Sequence, residues 1–159
     1  FDYVSSETKG KTLVMTTTNG TQALNLSKDA DEVLIGSFLN LTATINYLKA
    51  QNKDILVFCA GWKGLYSLED SLYAGAVVHR LKDNYEMSSD SSFSTELMFQ
   101  CAEKQGLLDF ISNANHFKRL SGFNNHKDIE FCMQLDEFDL VGKLEGNKIV
   151  IQRIKSLKV

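Results

Sequence analysis

The sequence predicts an α/β fold: a largely parallel or mixed sheet with flanking helices, a helical second half and a C-terminal β-hairpin. Three observations carry this. Short apolar runs at 12–15, 32–36 and 55–61 are separated by helical patterns, the alternation that builds a parallel sheet. Later segments space their apolar residues for one helix face, as Leu97, Met98 and Cys101 do. Near the end, Glu145-Gly146-Asn147 separates residues 138–143 from residues 148–153, which reads as a hairpin.

Residues 1–11 are polar and irregular, an entry loop. The run 12–15 reads as a strand and leads into Thr16-Thr17-Thr18-Asn19-Gly20-Thr21, followed by helix-compatible Gln22, Ala23, Leu24 and Leu26. Such a strand–loop–helix junction turns several backbone N–H groups toward one point at a helix N-terminus, where an anion is favoured. Gly20 can take a positive φ and let a ligand approach the backbone. Thr18, Asn19, Gly20 and Thr21 are therefore candidate ligands of a phosphate or carboxylate. The alternative is that Thr18 or Asn19 only caps the helix while Gly20 makes the turn. No GxxxxGK phosphate loop is present.

Asp29-Ala30-Asp31 is a turn, 32–36 a buried strand, and 37–51 a helix with Leu39, Leu41, Ile45 and Leu48 on its apolar face. Asn52-Lys53-Asp54 turns the chain into 55–61, the clearest strand of all. Ligands of a parallel sheet gather beyond the carboxyl ends of its strands, which would bring the loops 17–21, 36–40 and 60–70 to one edge. Helices are expected at 67–82, 93–105, 107–111, 113–122 and 128–134, with 87–92 a polar loop. Asp136, Glu137 and Asp139 read as a solvated acidic turn, and Asp90 as a solvated loop residue.

The loop Cys59-Ala60-Gly61-Trp62-Lys63-Gly64 with Glu69-Asp70 is the second candidate site. Lys63 can neutralise phosphate oxygens. Glu69 and Asp70 can hold Mg²⁺, a hard cation that takes oxygen ligands, or one of them can act as general base. The competing reading is a helix cap, since Ser67-x-x-Asp70 resembles a capping box and acids suit a first helical turn. Cys59 at a strand end is a candidate nucleophile, set against a buried structural thiol. His116 is either an acid/base group or part of a cap.

Composition narrows the classes. A chain of 159 residues with 43% hydrophobic content supports one core, so one compact α/β unit is expected over 1–159. A net charge of −3 and a pI near 5.6 argue against a general nucleic-acid surface. No run of 18 apolar residues occurs, so no membrane partner is expected. Cys59, Cys101 and Cys132, an odd set without CxxC, suit a reduced, cytoplasmic protein. The absence of Met at position 1 suggests an internal segment of a longer protein.

Taken in order, Thr16 to Ala23, Gly36-Ser37 with Asn40, Cys59-Ala60-Gly61, Leu68-Glu69-Asp70, Ala74-Gly75, and Asp128-Ile129 with Phe131-Cys132 resemble the 2-phosphosulfolactate phosphatase (ComB-type) family. The resemblance spans about residues 11–140. It implies Mg²⁺-dependent hydrolysis of an acidic phosphate monoester, 2-phosphosulfolactate or a related 2-phospho acid, on a coenzyme M route. It also implies a two-lobed fold of which this chain is the C-terminal portion. The family's Asp-x-x-Arg-Ala-Thr-Thr motif and Asn-Ser-Pro loop do not occur here. The expected partners are thus a small anionic phosphate ester, a separate N-terminal fragment completing the site, and, as an open option, a second copy in a homodimer. Two rival functions stand beside this one: a non-catalytic module that binds an acidic metabolite, and a cysteine hydrolase using Cys59.

Overall fold

The computed structural model describes residues 6–12, 14, 17–112, 114, 117–118 and 126–154. Its helices are α1 (Asn19–Leu26), α2 (Leu41–Gln51), α3 (Leu68–Leu81), α4 (Asp90–Gln105), α5 (Leu107–Ile111) and α6 (His126–Cys132). Its strands are β1 (Leu34–Ile35), β2 (Leu140–Glu145) and β3 (Lys148–Arg153). Among the described residues no helix is long and apolar enough to cross a membrane.

The helices carry the core. Leu41 and Ile45 of α2, Leu72, Ala76, Val77 and Leu81 of α3, Phe99 and Ala102 of α4, Ile111 of α5 and Ile129 of α6 form one buried cluster with Phe38. On α3 the run Ala74-Gly75-Ala76 is buried and small, and α4 lies directly on it. A Cβ at Gly75 would stand 2.0 Å from the Thr95 carbonyl oxygen, so the two backbones touch at a spacing that only glycine allows. Beside this contact, buried Glu96 accepts from His79 Nδ1 (2.8 Å) and Gln100 Nε2 (2.5 Å), with Lys82 Nζ 3.7 Å away. The His79 hydrogen bond first, and then that of Gln100, hold the Glu96 carboxyl below the usual carboxylate range despite its burial.

The sheet differs from the expected one. It is a small antiparallel sheet in the order β1-β2-β3, with Leu34 opposite Lys143 and Ile35 opposite Gly142. The expected hairpin forms, with Glu145 paired to Lys148 across Gly146 (φ 59°) and Asn147. That hairpin supplies the partner of β1, so the partner comes from the far end of the chain and not through a βαβ crossover. Gly142 allows the close approach, because a Cβ there would lie 3.3 Å from Ile35 Cβ and from Ile149 Cγ2. Of the expected strand 32–36, Leu34 and Ile35 pair in the ladder and both are half-buried, and the Val33 carbonyl accepts from Leu144 N (2.9 Å). Thr12 and Val14 of the expected strand 12–15 pair with no other described residue, and Val14 is exposed; Leu13 and Met15 lie outside the described residues.

The largest departure is 55–60, expected as the clearest strand. It pairs with nothing among the described residues. An apolar run states a preference for a pleated, half-buried surface but does not supply a neighbour. The segment Ser37–Asn40, expected at a ligand edge, is instead a structural staple. Asn40 is buried, its Oδ1 accepts from Ser37 N (2.8 Å), and its Nδ2 donates to the carbonyls of Ile35 and Leu140. Asp136 is exposed, as expected, and its carboxylate also accepts from Thr42 N (2.6 Å) and Thr42 Oγ1 (2.7 Å) at the start of α2. α4 begins at Asp90, capped by Ser89, earlier than the expected 93. His116 and most of the expected helix 113–122 lie outside the described residues.

Gly75→Ala should lower stability by about 3 kcal/mol, the upper end for overpacking, because the obstacle is backbone; urea unfolding checks this. Glu96, with its lowered native pKa, contributes stability that is complete above the ordinary glutamate value of about 4.3 and is lost as pH falls through the native value. Glu96→Gln should therefore flatten the acid limb of the stability–pH curve and cost about 1–2 kcal/mol at neutral pH, as read from denaturant midpoints across that range.

Candidate functional site

The two loops singled out in the sequence meet. The Lys63 backbone N–H donates to Asn19 Oδ1 at 3.2 Å, joining the start of α1 to the loop before α3. Between them and α6 lies an open cavity of about 340 Å³. Asn19, Gly61, Trp62, Ser67, Glu69 and Asp70 line one side, and Ile111, Phe117, Asp128, Ile129, Cys132 and Met133 the other.

The loop 61–65 owes its shape to three left-handed residues. Trp62 and Leu65 exchange backbone hydrogen bonds (3.1 and 2.9 Å) across Lys63 (φ 53°) and Gly64 (φ 73°). Two positive φ values in succession between paired residues make a turn of type I′. Gly61 (φ 66°) precedes it, and a Cβ there would lie 2.6 Å from the Leu65 carbonyl oxygen. Lys63 Nζ sits 4.8 Å from the Trp62 ring centroid, a cation–π contact.

Asp70 ties this turn to α3. Its Oδ2 accepts from Gly61 N (2.7 Å) and its Oδ1 from Ser67 Oγ (2.8 Å), while Asp70 N donates to Ser67 Oγ (3.3 Å). Ser67 is thus the N-cap that the sequence offered as the competing reading of this motif, and Asp70 is at once part of that cap and part of the cavity wall. Glu69 also lines the cavity, with Oε2 3.2 Å from Ser67 Oγ.

Around α1 the geometry differs from the expectation. Thr18 stands at the N-cap in a helical conformation and makes no side-chain cap. Gly20 is the second residue of α1 and is not a positive-φ glycine; the left-handed positions are on the other loop. Thr21 Oγ1 donates back to the carbonyls of Thr17 and Thr18, so its hydroxyl proton is engaged within the helix. Asn19 is the member of this set that reaches the cavity.

Cys59 is half-buried and is not among the lining residues. Burial first, and then the Asp70 charge, push its thiol pKa up, partly offset by a hydrogen bond with Ser71. Such a thiol holds little thiolate at neutral pH. The lining residues of α6 and the turn after it have a periodicity signal of their own: 128, 129, 132 and 133 recur at helical spacing. Phe117 and Ile111 offered no local signal. Among the described residues no group of three or more His, Cys, Asp or Glu side chains is arranged around a metal position.

Gly61→Ala should destabilise more than Gly64→Ala, since both require a left-handed φ but nothing lies within 4 Å of a Cβ at Gly64. Backbone strain alone costs about 1–2 kcal/mol, so Gly64→Ala should fall in that range and Gly61→Ala above it in urea unfolding.

The family model described as 2-phosphosulpholactate phosphatase matches residues 1–147. A protein of Caldanaerobacter subterraneus subsp. tengcongensis, named "Probable 2-phosphosulfolactate phosphatase", is 38% identical over 145 residues, covering 91% of this chain and 60% of the relative. Proteins of the same name from Thermotoga petrophila and Thermotoga maritima are 40% and 39% identical over 151 residues, covering 95% of this chain and 64% of each relative. The chain therefore spans 60–64% of the length of these relatives.

Proposed function

The chain belongs to the 2-phosphosulpholactate phosphatase family, and from that premise we propose that its cavity serves the Mg²⁺-dependent hydrolysis of an acidic phosphate monoester. The substrate is 2-phosphosulfolactate or a related 2-phospho acid, released as inorganic phosphate and the corresponding alcohol. One observation carries the reading: the Lys63–Asn19 hydrogen bond joins the two candidate loops on a single cavity that also holds the acidic pair.

The described lining contains three carboxylates, Glu69, Asp70 and Asp128, and no lysine or arginine. A phosphate dianion entering it meets like charge unless a cation accompanies it. Mg²⁺ suits this donor chemistry, because it commonly takes one or two carboxylates, keeps several waters and shares oxygens of the substrate phosphate. Glu69 or Asp70 would hold it. The hydrogen bonds of Asp70 leave lone pairs on both of its oxygens, so its tie to Gly61 is compatible with that role. When bound, the ion supplies positive charge for the phosphoryl oxygens and lowers the pKa of water.

The chain's own groups do the positioning. The first N–H groups of α1 and the Asn19 side chain orient phosphoryl oxygens, favoured by the helix dipole. Lys63 adds charge from the rim. The carboxylate of the acidic pair that is not engaged with the cation aligns the attacking water. Trp62, Ile111, Phe117, Ile129 and Met133 give the cavity an apolar wall that limits competing water and packs the carbon skeleton. The raised thiol pKa of Cys59 favours direct water attack over a covalent step through sulfur.

The test is phosphate release from a panel of 2-phospho-carboxylic and 2-phospho-sulfonic acids, with Mg²⁺ and with EDTA. Release that requires Mg²⁺ is expected, falling about 100-fold or more in Glu69→Gln or Asp70→Asn. Turnover unchanged in both variants would exclude the acidic pair. No release from any member, with the helical circular dichroism intact, would leave the non-catalytic binding module as the reading.

A further inference from the structure

Ser67 does more than cap α3. Its Oγ accepts from Asp70 N (3.3 Å), which is the cap. Its own proton has two carboxylates within reach, Asp70 Oδ1 at 2.8 Å and Glu69 Oε2 at 3.2 Å. A hydroxyl donates a single proton. The shorter contact takes it, so Asp70 receives the hydrogen bond while Glu69 Oε2 faces the lone pairs of Oγ. The acids of the pair are thereby unequal. Asp70 is gripped on both oxygens, by Ser67 Oγ on Oδ1 and by the Gly61 N–H on Oδ2 (2.7 Å). Hydrogen bonds to a charged acceptor at these lengths are the strong ones, and two of them fix the plane of the carboxylate.

The grip carries further. Gly61 opens the loop 61–65, and within that loop the Lys63 N–H donates to Asn19 Oδ1 at the start of α1 (3.2 Å). We propose that Ser67 is a positioning residue of this site: its hydroxyl proton orients Asp70, Asp70 holds Gly61, and the loop so held sets the Lys63 backbone against Asn19. Ser67 is itself anchored, because its carbonyl accepts from Ser71 N (3.2 Å) and Ser71 Oγ (2.9 Å). The consequence for turnover rests on the hydrolysis proposed above. The positioning does not, and is read from amide protons.

The variants must separate the cap from the hydroxyl. Glycine is almost as good an N-cap as serine but has no proton to give, so Ser67→Gly keeps α3 and removes the donor. Ser67→Thr keeps both. Amide hydrogen exchange is followed by NMR in the three proteins. In Ser67→Gly the Gly61 and Lys63 amides should exchange about 10-fold faster, as expected when a hydrogen bond to a charged group is weakened. Amides inside α3, such as those of Ala76 and Val77, should keep their wild-type rates. Ser67→Thr should restore slow exchange. Phosphate release, where the wild type shows it, should fall about 10-fold in Ser67→Gly and return in Ser67→Thr. Unchanged exchange at Gly61 in Ser67→Gly would overturn the proposal whatever the activity. So would acceleration of the whole of α3 together with Gly61, the mark of a lost cap. Accelerated Gly61 and Lys63 amides in a protein that releases no phosphate from any substrate would uphold the positioning and remove the hydrolysis instead.

Discussion

The contact of α3 with α4 across Gly75 sets the geometry of the molecule. Because a Cβ would collide with the Thr95 carbonyl, the helices approach closely, and their facing residues Leu72, Ala76 and Phe99 are sealed from solvent. The buried Glu96 cluster then locks the pair laterally, since a carboxylate removed from water needs every donor it can find. With α3 fixed, its N-terminus is fixed too, and that end presents Ser67, Glu69 and Asp70 to the cavity. Packing deep in the helical layer thus decides where the acidic pair stands.

Asp70 shows how one side chain serves two levels of structure. Its hydrogen bonds close the N-terminal turn of α3 and hold Gly61, the pivot of a loop made of left-handed residues. A helix cap and a ligand site are often treated as rival interpretations of the same acidic motif. Here the cap gives the carboxylate its orientation, and a carboxylate held by two donors on one side still offers lone pairs on the other. Glu69, one residue earlier, lines the same cavity.

The cavity lining joins three carboxylates to apolar side chains, and the strand-like segment 55–60 makes no backbone pairing among the described residues. Gly61 follows 55–60 directly and begins the loop that lines the cavity. The small antiparallel sheet on the other side is self-contained, because its hairpin partner comes from the chain itself and Asn40 and Asp136 bind it to the start of α2.

Local chemistry was enough to find α2, α3, α5 and the hairpin, since each is written in periodicity, in a cap such as Ser67, or in a turn such as Gly146-Asn147. It also singled out the two loops that meet at the cavity, because glycine, threonine and paired carboxylates cluster where helices begin. The sequence by itself could not say which strand neighbours which. The run 55–60 carries the alternation of a strand but finds no partner among the described residues, while two residues of 32–36 find one about a hundred positions away. Pairing is a property of two segments, and a pattern in one of them says nothing of the other. For the same reason only tertiary structure could bring Asn19 to Lys63 and gather Asp128, Phe117 and Glu69 around one cavity. These placements follow from how α3 is packed against its neighbours, which no local pattern encodes.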